Sequence, residues 1–438
     1  MIPHHGTSAG GERSMEKSSD LVRRVLHSLH ESSADSPGVT RDAYGAGETA
    51  AHAIVRAEAV SLGAEVSVDA AGNLFMTLPG TDRSLPGFMT GSHLDSVPHG
   101  GNFDGAAGVI AGLAAMVALR ESCMIPPQDF TVVAFRAEEA AWFPISYPGS
   151  MAALGKLDPD LLNVPRSDTG RSLAAHMAEA GFDVDAVRHG VAHIRPDMVA
   201  AFVEVHIEQG PVLVGRNIPV GLVTTINGGF RHMNATVTGE WAHSGATPFS
   251  YRQDAALAFA ELVVGLNQWW ESQEVVGIPL TITFGKVWTD PNMHAGSRVA
   301  GEVQFSVDVR AGSSAVLAAA ADQLSAAATS ISSARGVKIA FGSRFEWSVE
   351  EMDSRLLDRM EQLAANICLP VLRMPSGAGH DAAAMAAAGI PAGMIFVRNT
   401  NGSHNPDEAM DAEDLDRAVA LLALLASTPL AALLDRSR

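Results

Sequence analysis

The chain has 438 residues, which is long enough for two or three domains and a large buried core. Its 30 Lys and Arg against 49 Asp and Glu give a formal net charge of −19, which argues against nucleic acid and anionic membrane surfaces as partners. Because only two cysteines are present, Cys123 and Cys368, we expect no disulfide framework and predict a cytoplasmic protein.

Neither end of the chain is predicted to anchor it in a membrane. Residues 1–18 contain no apolar run, so we predict a disordered tail rather than a signal peptide. The apolar stretch near residues 411–434 is broken by Thr428-Pro429 and flanked by charges. This pattern favours a terminal core helix over a membrane span.

Helical and strand patterns alternate from residue 19 to residue 218. They predict helices at residues 21–29, 47–62 and 105–120, and strands at 65–68, 74–78, 85–94, 129–139 and 198–210. The alternation resumes over residues 348–438, with a buried strand at 392–399. It predicts one α/β catalytic domain with a largely parallel sheet, built from two segments of the chain.

A different pattern interrupts this domain at residues 219–347. Strands are predicted at 225–240, 279–288, 302–311 and 337–347, and helices at 254–273 and 315–330. The order β-α-β-β-α-β predicts a separate, ferredoxin-like α+β unit inserted into the first domain.

Side chains of the types that bind metals follow the predicted parallel strands where each strand ends. They are His93, Asp95, Asp104, Glu138, Glu139, His206 and His404. Open α/β sheets place their sites at the carboxyl edge of the strands, so these groups are expected to meet there. Histidines and carboxylates without cysteine suit Zn²⁺, Mn²⁺ or Co²⁺. Each residue alone has an ordinary explanation, such as a hydrogen-bonded core histidine or a solvated helix start, but together they favour a metal site.

The adjacent pair Glu138-Glu139 indicates the chemistry. Neighbouring side chains of an extended chain point to opposite sides, so one carboxylate can bind a metal while the other faces the attacking water. A metal lowers the pKa of that water, and the free carboxylate then acts as the general base. Asp104 is suited to bridge two metals, and Asp95 is suited to orient the ring of His93.

Seven segments, in order along the chain, resemble the motifs of a known family. They are GSHLDSV, GGNFDG, AEEAAWF, HIEQGP, AHSGATPFSYRQDA, SGAGHDA and GSHNPDE. They are similar to the metal-dependent amidohydrolases that include N-carbamoyl-L-amino-acid hydrolase, β-ureidopropionase and allantoate amidohydrolase, within the clan of aminoacylase and dimetal exopeptidase folds. The resemblance covers residues 20–425. It implies a dimetal exopeptidase-like α/β/α catalytic domain with an inserted ferredoxin-like lid, which is also the dimerisation domain.

The resemblance also implies the metal ligands, which are His93, Asp104, Glu139, His206 and His404. They would hold two divalent ions per subunit, Zn²⁺ or Mn²⁺, with Co²⁺ and Ni²⁺ as alternatives. Asp104 would bridge the two ions, and Glu138 would be the general base.

The resemblance places further residues at the substrate. Gln209 and His380 would line the site, and Arg310 would bind the substrate carboxylate through a bidentate pair. His243 would reach in from the partner subunit to stabilise the developing oxyanion. The protein would be a homodimer joined through the lid domains, and lid closure would exclude water.

Three positions depart from the family pattern. Ser297 stands where relatives carry an asparagine that contacts the substrate carboxylate. Trp142 puts a large apolar side chain in place of a charged one after the base, and Arg398 lies where the pattern is less basic. We interpret these changes as an altered substrate pocket around an intact metal centre, with Ser297 as a candidate substrate contact and neutral drift as the alternative.

The leading hypothesis is hydrolysis of a linear ureido or amide C–N bond in a small carboxylate substrate of the N-carbamoyl-L-amino acid type. Allantoate amidohydrolase and β-ureidopropionase activities are alternatives within the family. Hydrolysis of N-acyl amino acids or dipeptides by the same machinery is a further alternative, as is a binding protein that has kept the fold and lost turnover.

Overall fold

The structure is a computed structural model that describes residues 9–430, with side chains from Glu16 onward. This part of the chain divides into two compact units. The larger unit ends its first segment at Thr224 and resumes at Glu351, and the inserted unit is Thr225–Glu350. The predicted boundaries of the insertion, at residues 219 and 347, lie six and three residues from these limits.

The elements are numbered here in chain order. The first segment contains α1 (Ala9–Ser33), β1 (Ala34–Asp35), β2 (Gly38–Val39), α2 (Ala46–Ser61), β3 (Glu65–Val68), β4 (Leu74–Leu78), β5 (Gly87–His93), α3 (Ala106–Glu121), β6 (Phe130–Phe135), α4 (Pro148–Ala153), α5 (Leu173–Glu179), α6 (Val184–Arg188), β7 (Val199–Ile207), α7 (Val212–Arg216) and β8 (Val220–Ile226). The insertion contains β9 (Gly228–Thr238), β10 (Ala242–His243), α8 (Ala255–Val275), β11 (Leu280–Thr283), β12 (Val287–Trp288), β13 (Arg298–Val299), β14 (Glu302–Ala311), α9 (Ser314–Arg335), β15 (Lys338–Ala340) and β16 (Arg344–Trp347). The last segment contains β17 (Glu350–Glu351), α10 (Ser354–Asn366), β18 (Val371–Ser376), α11 (Asp381–Ala387), β19 (Ala392–Val397), β20 (Asn399–Thr400), β21 (Ala409–Met410) and α12 (Ala412–Ala426).

A nine-stranded mixed sheet forms the centre of the larger unit. Its order is β17-β8-β19-β7-β5-β6-β4-β3, with β18 paired to β8. The four central strands β19, β7, β5 and β6 are parallel, whereas β8, β4 and β3 join antiparallel. The predicted parallel sheet is therefore found at the centre, and the flanks differ from the prediction.

The central parallel strands are buried on both faces. All nine residues of β7 and all six of β19 are buried. A strand covered by helices on both faces needs a continuous apolar run rather than alternation. The parallel register also aligns the carboxyl ends of the strands, with His93 of β5 opposite Phe135 of β6, and His206 of β7 opposite Phe396 of β19.

The start of the chain differs from the prediction of a disordered tail over residues 1–18. Helix α1 begins at Ala9, and residues 1–8, including His4 and His5, lie outside the described residues. The end of the expected tail packs on α3, because the hydroxyl of Ser18 donates to the carbonyl of Ala114 at 3.0 Å and Lys17 pairs with Glu121 at 2.7 Å. The observed helix α1 therefore begins before the predicted helix at residues 21–29, and these contacts hold its N-terminal part on α3.

The inserted unit has its own six-stranded antiparallel sheet. Its longer elements follow the order β9-α8-β11-β14-α9-β15, with the strands arranged β11-β14-β9-β15. The core between sheet and helices contains Phe230, Leu262, Phe305 and Leu324. The predicted strand at 337–347 is two strands here, because Gly342 turns the chain with a φ of +67° before β16 pairs with a different part of β9.

Among the described residues, no helix is long and apolar enough to cross a membrane. The predicted terminal core helix corresponds to α12, whose leucines pack in the interior of the larger unit.

Candidate metal centre

The four central strands bring the predicted ligand side chains to one edge of the sheet. His93 ends β5, His206 lies near the end of β7, and the loops after β6 and β20 carry Glu139 and His404. Asp104 stands at the start of α3, in the loop after β5. They form two groups of three that share Asp104, although the five residues are spread over more than 300 positions of the chain.

Asp104 lies between two groups of donors. Its Oδ1 faces His206 Nε2 at 3.1 Å and His93 Nε2 at 3.5 Å. Its Oδ2 faces His404 Nε2 at 3.6 Å, and that imidazole is 3.3 Å from Glu139 Oε1. The donor atoms of each group of three lie within 4.8 Å of one another. One carboxylate thus joins two sets of nitrogen and oxygen donors, and the donor chemistry fits a pair of divalent metals.

Hydrogen bonds on the far side of each ring orient the two buried histidines. His206 Nδ1 is 2.9 Å from the carbonyl of Ile207, and His93 Nδ1 is 3.1 Å from the carbonyl of Asp95 and 3.2 Å from its Oδ1. A carbonyl accepts, so Nδ1 carries the proton and Nε2 is left to bind a metal.

The opening loop GGNFDG needs its last glycine for a steric reason. Gly105 has a φ of +66°, and a Cβ placed there would lie 2.4 Å from Cε1 of His93. Any side chain would push the imidazole away from Asp104. The glycine therefore allows the loop to close over a ligand.

Asp95 does more than orient His93. Its Oδ1 accepts the backbone amide of Glu138 at 3.0 Å, and its Oδ2 accepts that of Glu139 at 3.1 Å. The carboxylate, which has no exposed surface, therefore ties the loop after β6 to the loop after β5. Ala137, just before the pair, has a φ of +57°. This turn sends Glu138 Oε2 to within 3.8 Å of His93 Nε2, while Glu139 faces His404.

The charges of the cluster shift its protonation equilibria. Burial, with the negative charges of Glu139 and Asp381, raises the pKa of Glu138 well above its ordinary value, against the opposing effect of His93. Burial disfavours the charged form of Asp104, but His206 and His93 outweigh it and hold the pKa of this carboxyl well below its usual range. The hydrogen bond to Glu139 raises the pKa of His404 to about 9.

Gln209 and His380 both lie at the cluster. Gln209 Nε2 donates to Asp104 Oδ2 at 2.7 Å, and its buried Oε1 finds no hydrogen-bond partner among the residues that the structure describes. The ring of His380 lies 4.4 Å from that of His206, and within the same described part of the chain its Nδ1 has no partner either. Burial and the neighbouring histidines lower the pKa of His380 well below its ordinary value. Both side chains keep a buried polar atom unused beside the ligands.

The remaining predicted residues belong to the inserted unit. The pairing of β10 with β13 brings His243 and Ser297 together, with the amide of Ser244 donating to the carbonyl of Ser297 at 3.0 Å. Both residues are exposed. Arg310 lies on the main sheet of this unit, where its Nε pairs with Asp308 at 2.9 Å and its guanidinium packs over the ring of Trp347.

Two departures from the family pattern have structural roles. Trp142 is only 7 % exposed, its Nε1 donates to the carbonyl of Ser96 at 2.7 Å, and Arg166 stacks on its ring. It braces the loop that carries Asp95, and its part in an altered substrate pocket stays a prediction. Arg398 pairs with Asp414 at 2.7 Å and so joins the end of β19 to α12.

Three residues that support the cluster were not predicted from the sequence. Ser403 contacts Asp104 Oδ2, and Glu408 contacts the loop of Asp104. The buried Glu48 accepts the amide of Ala137 and a guanidinium proton of Arg136, both at 2.8 Å, directly before the Glu138-Glu139 pair. Ser403 and Glu408 flank His404 within GSHNPDE, so their place in this motif was the available signal. Glu48 lies outside the seven segments.

An α/β sheet whose carboxyl edge carries such donors defines, as a class, the metal-dependent hydrolases. The chain belongs to Peptidase family M20/M25/M40, which it matches over residues 89–428. It is 34 % identical to allantoate amidohydrolase of Bacillus subtilis, over 88 % of this chain and 91 % of that protein. It is 35 % identical to N-carbamoyl-L-amino acid amidohydrolase of Geobacillus stearothermophilus, over 86 % and 90 %. A crystal structure of a hydantoinase/carbamoylase family amidase from Burkholderia multivorans is similar, with a TM-score of 0.83 and 28 % identity over 96 % of this chain and 98 % of that one.

Proposed function

We propose that this protein is a dimetal amidohydrolase that hydrolyses a linear ureido or amide C–N bond in a small carboxylate substrate of the N-carbamoyl-L-amino acid type. The relatives named above support the reaction class. The observation that carries the proposal is Asp104, whose two oxygens face separate groups of donors. That arrangement suits two metals better than one.

The ligands would divide between the two oxygens of the bridging carboxylate. His93 and His206 would hold one ion with Asp104 Oδ1, and Glu139 and His404 would hold the other with Oδ2. Zn²⁺ and Mn²⁺ are the proposed ions, and Co²⁺ and Ni²⁺ suit the same donors. When bound, divalent metals supply Lewis-acid chemistry by lowering the pKa of water and polarising a carbonyl.

Glu138 would act as the general base in this reaction. Its carboxylate lies beside the proposed ligands, its salt-bridge partner among the described residues is His93, and burial raises its pKa. A general base with a raised pKa takes a proton from the attacking water and returns it to the leaving nitrogen. Asp95 accepts the backbone amide of Glu138, so it would affect catalysis by positioning the Glu138 carboxylate.

The inserted unit would select the substrate. We propose that it is a ferredoxin-like lid and dimerisation domain, because of its β-α-β-β-α-β order. Arg310 would bind the substrate carboxylate, Ser297 would contact it, and His243 of the partner subunit would stabilise the oxyanion. Gln209 and His380, each with an unused polar atom, would contact the scissile group. A cytoplasmic location stays a prediction, supported by two free thiols, Cys123 and Cys368.

A second candidate is hydrolysis of N-acyl amino acids by the same machinery. Ser297 offers a short hydroxyl where family members offer an amide, which leaves more room for a larger acyl group. The chemistry at Glu138 would be unchanged.

The test is turnover by the purified full chain, depleted of metal and then reconstituted with Mn²⁺ or Zn²⁺. The substrates are an N-carbamoyl-L-amino acid, N-carbamoyl-β-alanine and allantoate, assayed for ammonia, and an N-acyl amino acid, assayed for free amine. Release of ammonia that depends on added metal is the expected result. Turnover of the N-acyl substrate alone would favour the second candidate. Full activity after metal removal, or no turnover of any of the four with two metals bound, would contradict the proposal.

A further inference from the structure

Glu408 links two loops that carry candidate metal ligands. It lies four residues after His404 and is 6 % exposed. Its Oε1 accepts the backbone amides of Phe103 at 2.9 Å and Asp104 at 3.1 Å. Its Oε2 accepts the hydroxyl of Ser403 at 2.5 Å. One carboxylate therefore contacts the loop after β5 and the loop after β20, which are about 300 positions apart in the sequence.

Ser403 extends this link to a ligand atom. Its hydroxyl contacts Asp104 Oδ2 as well as Glu408, and it directly precedes His404, whose φ is +60°. The His404 side chain is about half exposed, so little packing restrains it. The contacts of Ser403 and Glu408 thus tie the His404 loop directly to Asp104 and its loop.

Gly101 packs against the Glu408 carboxylate. A Cβ on Gly101 would lie 2.3 Å from the carboxyl carbon of Glu408, so the backbone of the GGNFDG loop closes directly on this carboxylate. The absence of a side chain at Gly101 therefore leaves the space that the Glu408 carboxylate occupies beside the loop of Asp104.

We propose that Glu408 is a positioning residue for the ion held by Asp104, Glu139 and His404. It fixes the distance between the bridging aspartate and the terminal histidine by binding the backbone of one and the neighbour of the other. The inference rests on the dimetal centre proposed above. Residues behind metal ligands commonly contribute about 10- to 100-fold to metal affinity by orienting them.

The experiment measures metal binding rather than turnover alone. The full chain is stripped of metal, titrated with Zn²⁺ in a calorimeter, and its metal content is measured by mass spectrometry after dialysis. Wild type is expected to bind two ions. Glu408→Ala is expected to bind one of the two ions, the one assigned to Asp104, Glu139 and His404, about 10- to 100-fold less tightly. Glu408→Gln is expected to restore most of that affinity, since its amide oxygen can accept from residues 103 and 104 while its NH₂ donates to Ser403.

Asp353→Ala is the matched control. Asp353 also accepts two backbone amides, those of Arg355 and Leu356, but these belong to α10 and carry no candidate ligand. The control is expected to lower the melting temperature without changing either metal affinity. A fall in affinity with Asp353→Ala as large as that with Glu408→Ala would mean that general destabilisation explains the effect, and would overturn the proposal.

Ser403→Ala keeps the chain testable if Glu408→Ala does not fold. This variant retains the contacts of Glu408 with the amides of residues 103 and 104. Its affinity for the same ion is expected to fall by a smaller factor. Two ions bound with wild-type affinity in Glu408→Ala, or in Ser403→Ala where Glu408→Ala is unfolded, would overturn the positioning role. Failure of wild type to bind two ions would instead reject the dimetal centre itself.

Discussion

The buried histidines of the larger unit and His243 of the inserted unit differ in how firmly the protein holds them. In the larger unit His93 and His206 are each 1 % exposed, and hydrogen bonds to the backbone orient both rings. In the inserted unit His243 is exposed, and its Nδ1 accepts the amides of residues 245 and 246 in its own turn. Buried groups with fixed partners suit chemistry that needs exact placement, whereas exposed groups can change with the substrate.

From this comparison we expect the larger unit to carry out the reaction and the inserted unit to determine which substrate is preferred. Changes at the sheet edge of the larger unit should impair the reaction for every substrate. Changes in the inserted unit should alter which substrate is preferred. The predictions below test this division.

Glu138→Gln should produce the largest effect. The amide cannot accept the proton from water, so kcat should fall about 100- to 10,000-fold for every substrate. Metal content should stay at the wild-type level, because Glu138 is not among the proposed ligands. Measurement of kcat together with bound metal checks both statements. A variant that loses its metal in proportion to its activity would show that Glu138 is a ligand instead.

Arg310→Ala should cost about 10- to 150-fold in kcat/KM for carboxylate substrates, the range for a charged hydrogen bond. A substrate analogue with a neutral amide in place of the carboxylate should lose much less. Arg231→Ala is the control, since Arg231 also pairs with Asp308 and packs over Trp347. Equal losses in both variants would point to a shared positive charge rather than a specific role of Arg310.

The pH dependence of metal binding tests the larger unit. Contact with Glu139 raises the pKa of His404 to about 9. The protonated imidazole cannot bind a metal, so affinity for one ion should fall as the pH drops below 9 and level off above it. For a single proton the fall is at most about tenfold per pH unit. Calorimetry between pH 6 and pH 10 would measure this slope, and a flat profile below pH 9 would contradict the assignment of His404.

Ser297→Asn should have the smallest effect. The added amide can replace the serine hydroxyl as donor to the substrate carboxylate, and the difference between two such hydrogen bonds should change kcat/KM by about two- to tenfold. The change should favour the small carbamoyl substrate over the N-acyl one and leave metal binding unchanged. Ratios of kcat/KM for the two substrates give the measurement. An equal change for both substrates would remove Ser297 from the residues that determine specificity.

Much of the larger unit could be predicted from the sequence, because its central strands are continuous apolar runs that end in polar loops. Strands β3 and β4 have the predicted bounds, and α2 and α3 begin and end within one residue of the predicted ranges. The start of α1 was missed, since Ser18 and Lys17 are polar and only their contacts with α3 show that they belong to the fold. The antiparallel flanks were also missed, because the direction of a strand is not encoded in its hydrophobicity.

The sequence alone determined which residues could bind metals, because the ligand types and the ends of apolar strands are local features. The tertiary structure alone decided that Asp104 faces two donor groups, that Asp95 holds the backbone of Glu138 and Glu139, and that Glu408 joins the loops of Asp104 and His404. Each of these contacts depends on side-chain direction across loops that are far apart in the chain. Spacing and composition do not specify such directions, since they arise when the parallel register of β5, β6, β7 and β19 brings four strand ends together.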